Sequence, residues 1–575
     1  MADAAELIIK NGYVFDPIQG IKGDKADIAI KDGKIVSKVS KKAQVIDASG
    51  KTVMAGGVDI HSHVAGPKVN TGRMMRPEDK LFRGSYRGGI VKQGERMEMG
   101  FSIPSTWKTG YAYARMGYTF TNEAAMPPLL APHVHEEFRD TPILDQSAMP
   151  VFGNNWFCFE YIKNHEIENN AAYVAWLLKA TYGLGIKVVN PGGTEAWGWG
   201  ENCASIDDPV PYFDITPAEI IKGLIETNEY LGLPHSMHLH GNNIGNPGNF
   251  EHTIRTLELA KGYTPKGSFG RDQVMHNTHL QFFCYKGTNW GNMESGAKEV
   301  MDYVNSVDNI TIDLGAVTLD ETTTMTADGP FEHHLQELNH IKWANVDVEM
   351  ETGSGVVPYI YDKDIKVCGV QWAVGLELAL YAKDLMRVHI TTDHPNAGPF
   401  TRYPRLIKWL MSQKAREATL DTMKHKSKVI DASYIASIDR ELSLYEIAMM
   451  TRAGPAKALG LIDIYGSLKE GSDANVAIYD LDAASIPSDP ELIEAAFQTT
   501  AYTVKEGVVV VDNGQIVAEP KKHTIWTDVK MAANAQVMHD LVEKFAKNYT
   551  VNLDNYAVFD EHVHHPRAIT VEVTP

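Results

Sequence analysis

Cysteine is scarce in this chain: four residues in 575, Cys158, Cys203, Cys284 and Cys368, with no Cys-x-x-Cys pair among them. That excludes an iron–sulfur cradle and a thiolate zinc site. No glycine fingerprint of a dinucleotide site follows the first strand, so neither cluster, flavin nor nucleotide is expected here. Long apolar runs are missing too, and no segment reaches the length that crosses a bilayer. The opening Met-Ala-Asp-Ala-Ala-Glu lacks the basic-then-apolar order of a signal peptide, which makes the cytoplasm the expected location. Positive charge is the minority: 54 Lys and Arg against 73 Asp and Glu, a formal net charge of −19. Such a balance excludes general binding to a phosphate backbone.

What is present is an ordinary globular composition, 44% apolar and 22% charged, in a chain long enough for two or three domains. Residues 5–56 read as short strands with Asn-Gly and Asp-Gly turns, which are hairpin signals. From residue 57 strands alternate with helices. Strands are expected over 117–125, 149–152, 185–190, 234–240, 273–280 and 387–392, and helices over 170–182, 216–231, 249–261 and 371–384. A long irregular insertion precedes the last of these helices. Repeated βα units over such a length favour an α/β fold with a closed, TIM-like (β/α)8 barrel. Past residue 464 the strand-and-turn texture returns. The expected division is 1–56 and 465–525 as two parts of one small β-sandwich built from both chain ends, 57–464 as the barrel, and 526–575 as a helix (528–549) with an irregular tail.

The chemistry starts at Val53–His63, an apolar run broken by Gly56-Gly57 and ending on two histidines one residue apart. Residues i and i+2 of a strand share a face, so His61 and His63 project together as two ligands of one metal should. In a barrel the site gathers at the C-terminal strand ends, and four later strands carry a metal-compatible residue there. Lys187 lies inside the apolar run Gly185–Asn190, where desolvation lowers the pKa of an ammonium. It is either a lysine reaching out along the strand end or a neutral amine that captures carbon dioxide as a carbamate bridging two metals. Pro234–Asn243 offers His235, His238 and His240. The last two share a face; His240, nearer the strand end, is the first choice and His238 the reserve. His279 is preferred to His276 on the same ground. Asp393 ends the apolar strand from Arg387. Imidazoles with carboxylate-type oxygens suit two divalent ions, zinc best.

One segment runs against the acidic background. Between Lys68 and Arg96 stand eight basic residues and three acidic ones, either a solvated loop or a landing strip for an anionic substrate. Lys68, Arg73, Arg76 and Arg83 are its candidate substrate contacts; Asn190 and Asn242, just beyond two strand ends, are added to them.

With these residues in place the chain resembles the amidohydrolase superfamily, in its dihydroorotase and hydantoinase branch, over residues 5 to about 520. The closing segments Leu442–Glu446, Arg452–Leu461 and Gly471–Asn475 share the resemblance. It implies that His61 and His63 bind a buried metal, that carboxylated Lys187 bridges, that His240 and His279 bind an outer metal, and that Asp393 is ligand and proton shuttle. More narrowly, His63–Arg73, Lys187–Gly193 and Thr391–Gly398 look like the amidohydrolase components of formylmethanofuran dehydrogenases of methanogenic archaea. In those complexes a partner with tungsten or molybdenum reduces carbon dioxide to formate, and the amidohydrolase component condenses formate with the amine of methanofuran. The scarcity of cysteine agrees with a non-redox half-reaction. Methanofuran carries several carboxylates, which would give the basic segment a partner. The competing readings are a cyclic amidase of the hydantoinase type, a formylmethanofuran hydrolase of a formyltransferase/hydrolase complex, and a metal-free scaffold.

Overall fold

The computed structural model of the protein describes residues 6–81, 100–267, 269–346, 354–531 and 535–573. Its centre is eight parallel strands: β1 (Gly57–Ser62), β2 (Tyr118–Met126), β3 (Asp145–Pro150), β4 (Lys187–Val189), β5 (Met237–His240), β6 (Met275–Asn277), β7 (Ile310–Asp313) and β8 (Val388–His389). Hydrogen bonding runs β1–β2–β3 in one sheet and β4–β5–β6–β7–β8 in another. Single parallel bridges, Val151 to Lys187 and Ser62 to His394, link the two sheets on either side. The eight strands are buried throughout, as parallel strands covered on both faces are.

Helices follow the strands in turn. Pro217–Leu231, between β4 and β5, shows how local sequence fixes one. Thr216 and Glu219 cap each other's backbone, Pro217 occupies the first turn, and Gly232 ends the helix at φ 66°. Strand β7 falls inside the stretch that the sequence pattern leaves irregular. Four residues of Ile-Thr-Ile-Asp are too few for a period to be read. Between β7 and β8, Glu321–Thr326 pairs antiparallel with Ser354–Ile360, which in turn pairs with Ala344–Val346. This flap carries helix Gly329–Asn339 and is fastened to the segment after β1. Arg76 is ion-paired with Glu321, and Val69, Ile103, Met325 and Val356 form a small apolar core.

The two chain ends share one nine-stranded sheet. Thr52–Ala55 pairs antiparallel with Val476–Tyr479, and Ile9, Val14, Ile30, Val53, Val476, Ile478 and Val504 pack into a single core. Its Asp32-Gly33 turn has positive φ at both residues, 52° and 75°, as a tight hairpin with right-handed twist requires. The C-terminal segment departs from expectation. Thr524–Lys530 is a strand, the helix starts only at Ala535 (Ala535–Asn548), and the tail holds a further strand, Pro566–Glu572, parallel to the first. The alternating Thr-Ile-Trp-Thr-Asp-Val-Lys is a β-branched and aromatic pattern that a helix reading of the same residues overlooks. No helix among the described residues is long and apolar enough to cross a membrane.

Candidate metal centre

Asp393 stands at the centre of the site. Its Oδ1 lies 3.0 Å from His61 Nε2 and 3.2 Å from His63 Nε2, and its Oδ2 lies 3.9 Å from His279 Nε2. The His279 ring is 5.4 Å from that of His61 and 4.7 Å from that of His240. Lys187 opens β4 in register with His238 of β5. It is 1% exposed, and its Nζ has no hydrogen-bond partner among the described residues. Burial lowers its ammonium to about 7, with Asp393 and Asp313 pulling the other way. Burial alone would raise Asp393, but the surrounding His279, His61 and His63 hold its carboxyl well below the ordinary range. Burial and Lys187 push His61 down, while Asp313 and Asp393 bring it above its ordinary value. His279 is held well below its own, by burial.

The backbone is bent to make this convergence. Asn190 (φ 39°), Asn243 (63°), His279 (34°) and Asp393 (48°) all adopt left-handed conformations just beyond the ends of β4, β5, β6 and β8. Backbone cost of this kind gathers where side chains must be aimed. Gly315, at φ +57°, lets the chain pass His279: a Cβ added there would sit 2.1 Å from the His279 Cβ. Gly315→Ala is therefore expected to displace His279 and to destabilise the fold by about 2–4 kcal/mol. Chemical denaturation and metal content measured on the same preparation check this; an unchanged midpoint with full metal content would contradict it.

Three of the four histidines around Asp393, His61, His63 and His240, are held from behind, whereas His279 Nδ1 finds no hydrogen-bond partner among the described residues. His63 Nδ1 is 2.9 Å from Glu123 Oε1, and the Val64 and Ala65 amides donate to Glu123 Oε2 at 2.8 and 3.1 Å. Glu123 is buried, which would raise it, yet Lys68 and His63 bring it down to about 2. His240 Nε2 is 3.0 Å from Asp328 Oδ2, and the other Asp328 oxygen accepts from the Phe331 amide at the start of the flap helix. His61 Nδ1 meets His238 Nε2 at 3.0 Å and Asp313 Oδ2 at 3.4 Å. Asn396 Nδ2 donates to Asp393 Oδ2 at 2.9 Å, while its own Oδ1 accepts from Met325 of the flap at 2.7 Å. The rings thus turn His61 Nε2, His63 Nε2 and His240 Nδ1 away from these partners. Fixing one ring nitrogen to present the other is the usual device of metal-binding histidines. His61, His279 and Asp393 offer ligand atoms within 4.8 Å of one another, as do His61, His238 and Asp313. An orphaned buried amine beside oriented imidazoles and one carboxylate fits divalent cations.

Of the six residues singled out from the sequence, His61, His63, His279 and Asp393 meet directly. His240 joins them through His279, and Lys187 is close enough to act electrostatically on His61, His240 and His279. His238 is engaged by His61 and His235, whereas the His240 ring packs against that of His279. The candidate substrate contacts lie differently. Lys68 faces Glu123 at 3.2 Å and Arg73 faces Glu137 at 2.6 Å. Arg76 holds Glu321, Ser102 and Thr323. These three cations are neutralised inside the protein, and Arg83 lies outside the described residues. Asn190 and Asn242 hydrogen-bond to each other at 2.8 Å. Sequence reasoning missed Glu123, Asp313, Asp328 and Asn396. A carboxylate in the middle of the buried β2 strand was a usable signal for Glu123. Asp328 and Asn396 carry none, because each acts through a contact made by the flap.

Residues 44–511 match the Amidohydrolase family. The chain is also 54% identical, over 99% of both sequences, to Protein FwdA of Methanocaldococcus jannaschii. This chain belongs to the amidohydrolase family. A second relative of the amidohydrolase is the A component of the formyltransferase/hydrolase complex Fhc of Methylorubrum extorquens, 34% identical over 96% of each chain. A crystal structure of that complex, FhcABCD with methylofuran, superposes at a TM-score of 0.88 with 32% identity, covering 98% of this amidohydrolase and 100% of the matched chain.

Proposed function

We propose that this chain is the amidohydrolase subunit of a formylmethanofuran dehydrogenase, reversibly joining formate to the amine of methanofuran. That places it at the entry of carbon dioxide into methanogenesis, in the cytoplasm of an archaeon. The observation that carries the substrate is the full-length match to a FwdA protein and to a component whose complex is seen with methylofuran. The chemistry rests on the buried convergence of His61, His63, Lys187, His240, His279 and Asp393. On this reading the eight paired strands close as a (β/α)8 barrel over residues 57–464. The shared sheet of 1–56 and 465–525 curls over its core as a sandwich, with 526–575 as an appended segment. His61 and His63 would hold one zinc ion and His240 and His279 a second, with Lys187 carboxylated between them. The electrons would pass through a tungsten- or molybdenum-containing partner.

When bound, paired cations acidify a water towards about neutral pH and polarise a formyl carbonyl. The side chains supply the rest. Asp393 is held ionised by the neighbouring histidines; its Oδ1 lies beside His61 Nε2 and His63 Nε2 while Asn396 holds Oδ2. It accepts the proton of the attacking water and returns it to the departing amine. In the synthetic direction it takes the proton of the attacking amine. Phe283, stacked on His279 at 5.6 Å, fixes the plane of that ring.

The test is formate release by zinc-loaded protein from formylmethanofuran, beside a hydantoin and dihydroorotate. Turnover of formylmethanofuran alone is expected. Turnover of a cyclic substrate, with none of formylmethanofuran, would overturn the reading in favour of a cyclic amidase. Co-purification with a formyltransferase in place of a metal-dependent formate-producing partner would make it the hydrolase of an Fhc-type complex.

A further inference from the structure

Behind His61, at the ring nitrogen that does not face Asp393, three buried imidazoles form an unbroken chain. His235 Nδ1 is 2.6 Å from the Ala458 carbonyl oxygen, His235 Nε2 is 2.9 Å from His238 Nδ1, and His238 Nε2 is 3.0 Å from His61 Nδ1. All three rings are at most 1% exposed, and among the described residues neither His235 nor His238 is ion-paired to a carboxylate. A neutral imidazole has one donor and one acceptor nitrogen. A carbonyl oxygen only accepts. The first contact therefore decides the others: His235 carries its proton on Nδ1 and accepts at Nε2. His238 then donates from Nδ1 and accepts at Nε2, so His61 donates from Nδ1. The opposite order would set a lone pair against the Ala458 oxygen in a dry interior, a costly arrangement.

We propose that His235 and His238 are positioning residues that relay a fixed proton order from the Ala458 carbonyl to His61, committing its Nδ1 to donation and its Nε2 to the cation. The inference rests on the cation-binding reading of the site. Asp313 Oδ2, 3.4 Å from His61 Nδ1, favours the same order and receives His276 Nε2 at 3.0 Å, but it touches neither His238 nor His235. Asp393, on the other face of His61, competes with a cation for the Nε2 position only. The relay is thus independent of whether a proton or a metal occupies Nε2. It also accounts for three histidines in Pro234–His240, of which one at most is needed as a ligand.

The experiment pairs two variants of the full chain. His235→Gln keeps an acceptor towards His238 and a donor towards Ala458; His235→Leu keeps neither. Zinc affinity is measured by chelator competition, and folding by thermal unfolding. The Leu variant is expected to lose about 10- to 100-fold in zinc affinity, the range for removing a partner behind a metal-bound histidine, with Gln close to wild type. Equal affinities of Leu and wild type would overturn the relay. Failure of wild type itself to take zinc would instead overturn the cation reading. Should the Leu variant not fold, neutron diffraction of the wild-type protein decides. Deuterium on Nδ1 of His235, His238 and His61 supports the relay, and deuterium on His238 Nε2 overturns it.

Discussion

Lys187→Ala protein is expected to fold, to bind zinc more than about 100-fold more weakly than wild type, and to release no measurable formate. The bound is set by outer partners of metal ligands, whose loss already costs about 10- to 100-fold; a bridging ligand should cost more. The Lys187 amine has no hydrogen-bond partner among the described residues, in a place where a satisfied lysine would have several. A pKa of about 7 leaves much of it uncharged at neutral pH, as a nucleophile towards carbon dioxide must be. Left as an ammonium it would repel any cation held by His61, His63, His240 and His279. As a carbamate, formed with release of one proton, it becomes an anion with two oxygens, one for each side of the site. Alanine leaves a cavity that a short carboxylic acid can enter, so added acetate or propionate should restore part of both zinc binding and activity. Metal analysis and formate release measured together check the prediction. A variant that holds two zinc ions without added acid would remove Lys187 from the metal-bridging role.

How far this site could be seen from the sequence differs residue by residue. His61 and His63 were legible because a strand's two-residue period places both on one face, and the helix Pro217–Leu231 because its cap, first-turn proline and terminal glycine are local. Position along β5 separated His240, whose ring packs on His279, from His238, which is engaged by His61 and His235. The strand β7, and with it Asp313, was not, since four residues carry no period. Asp328 and Asn396 were beyond reach for another reason. Their roles exist only once the flap strand Glu321–Thr326 lies over the ends of β5 and β8. Three cations of the basic segment are placed otherwise than a count along the chain suggests. Lys68, Arg73 and Arg76 look like a surface for anions when counted along the chain, but Glu123, Glu137 and Glu321 arrive from distant segments to neutralise them. Charge counted in sequence says nothing of partners that only the fold supplies.

Asp393→Asn should lower turnover by about 100- to 10,000-fold, the span a positioned proton-transfer group contributes, and should do so equally for formate release and for condensation. The substitution is nearly isosteric. Its amide oxygen can still accept from Asn396 Nδ2, so the loop after β8 and the flap contact at Met325 are retained. What is lost is a base. The wild-type carboxylate is held ionised by His279, His61 and His63, and no other described carboxylate comes within 4.0 Å of His63 except Glu123, which is engaged behind that ring. Because a catalyst cannot alter the equilibrium between amide and acid plus amine, the factor lost in one direction must be lost in the other when substrates are compared below saturation. Asp393 also lies among the candidate ligands, so a fall in zinc content could mimic a fall in turnover. Rates are therefore compared per bound pair of zinc ions at saturating metal. A loss of less than about tenfold after that normalisation would leave Asp393 as a ligand only, and the proton would have to travel through a group other than this carboxylate.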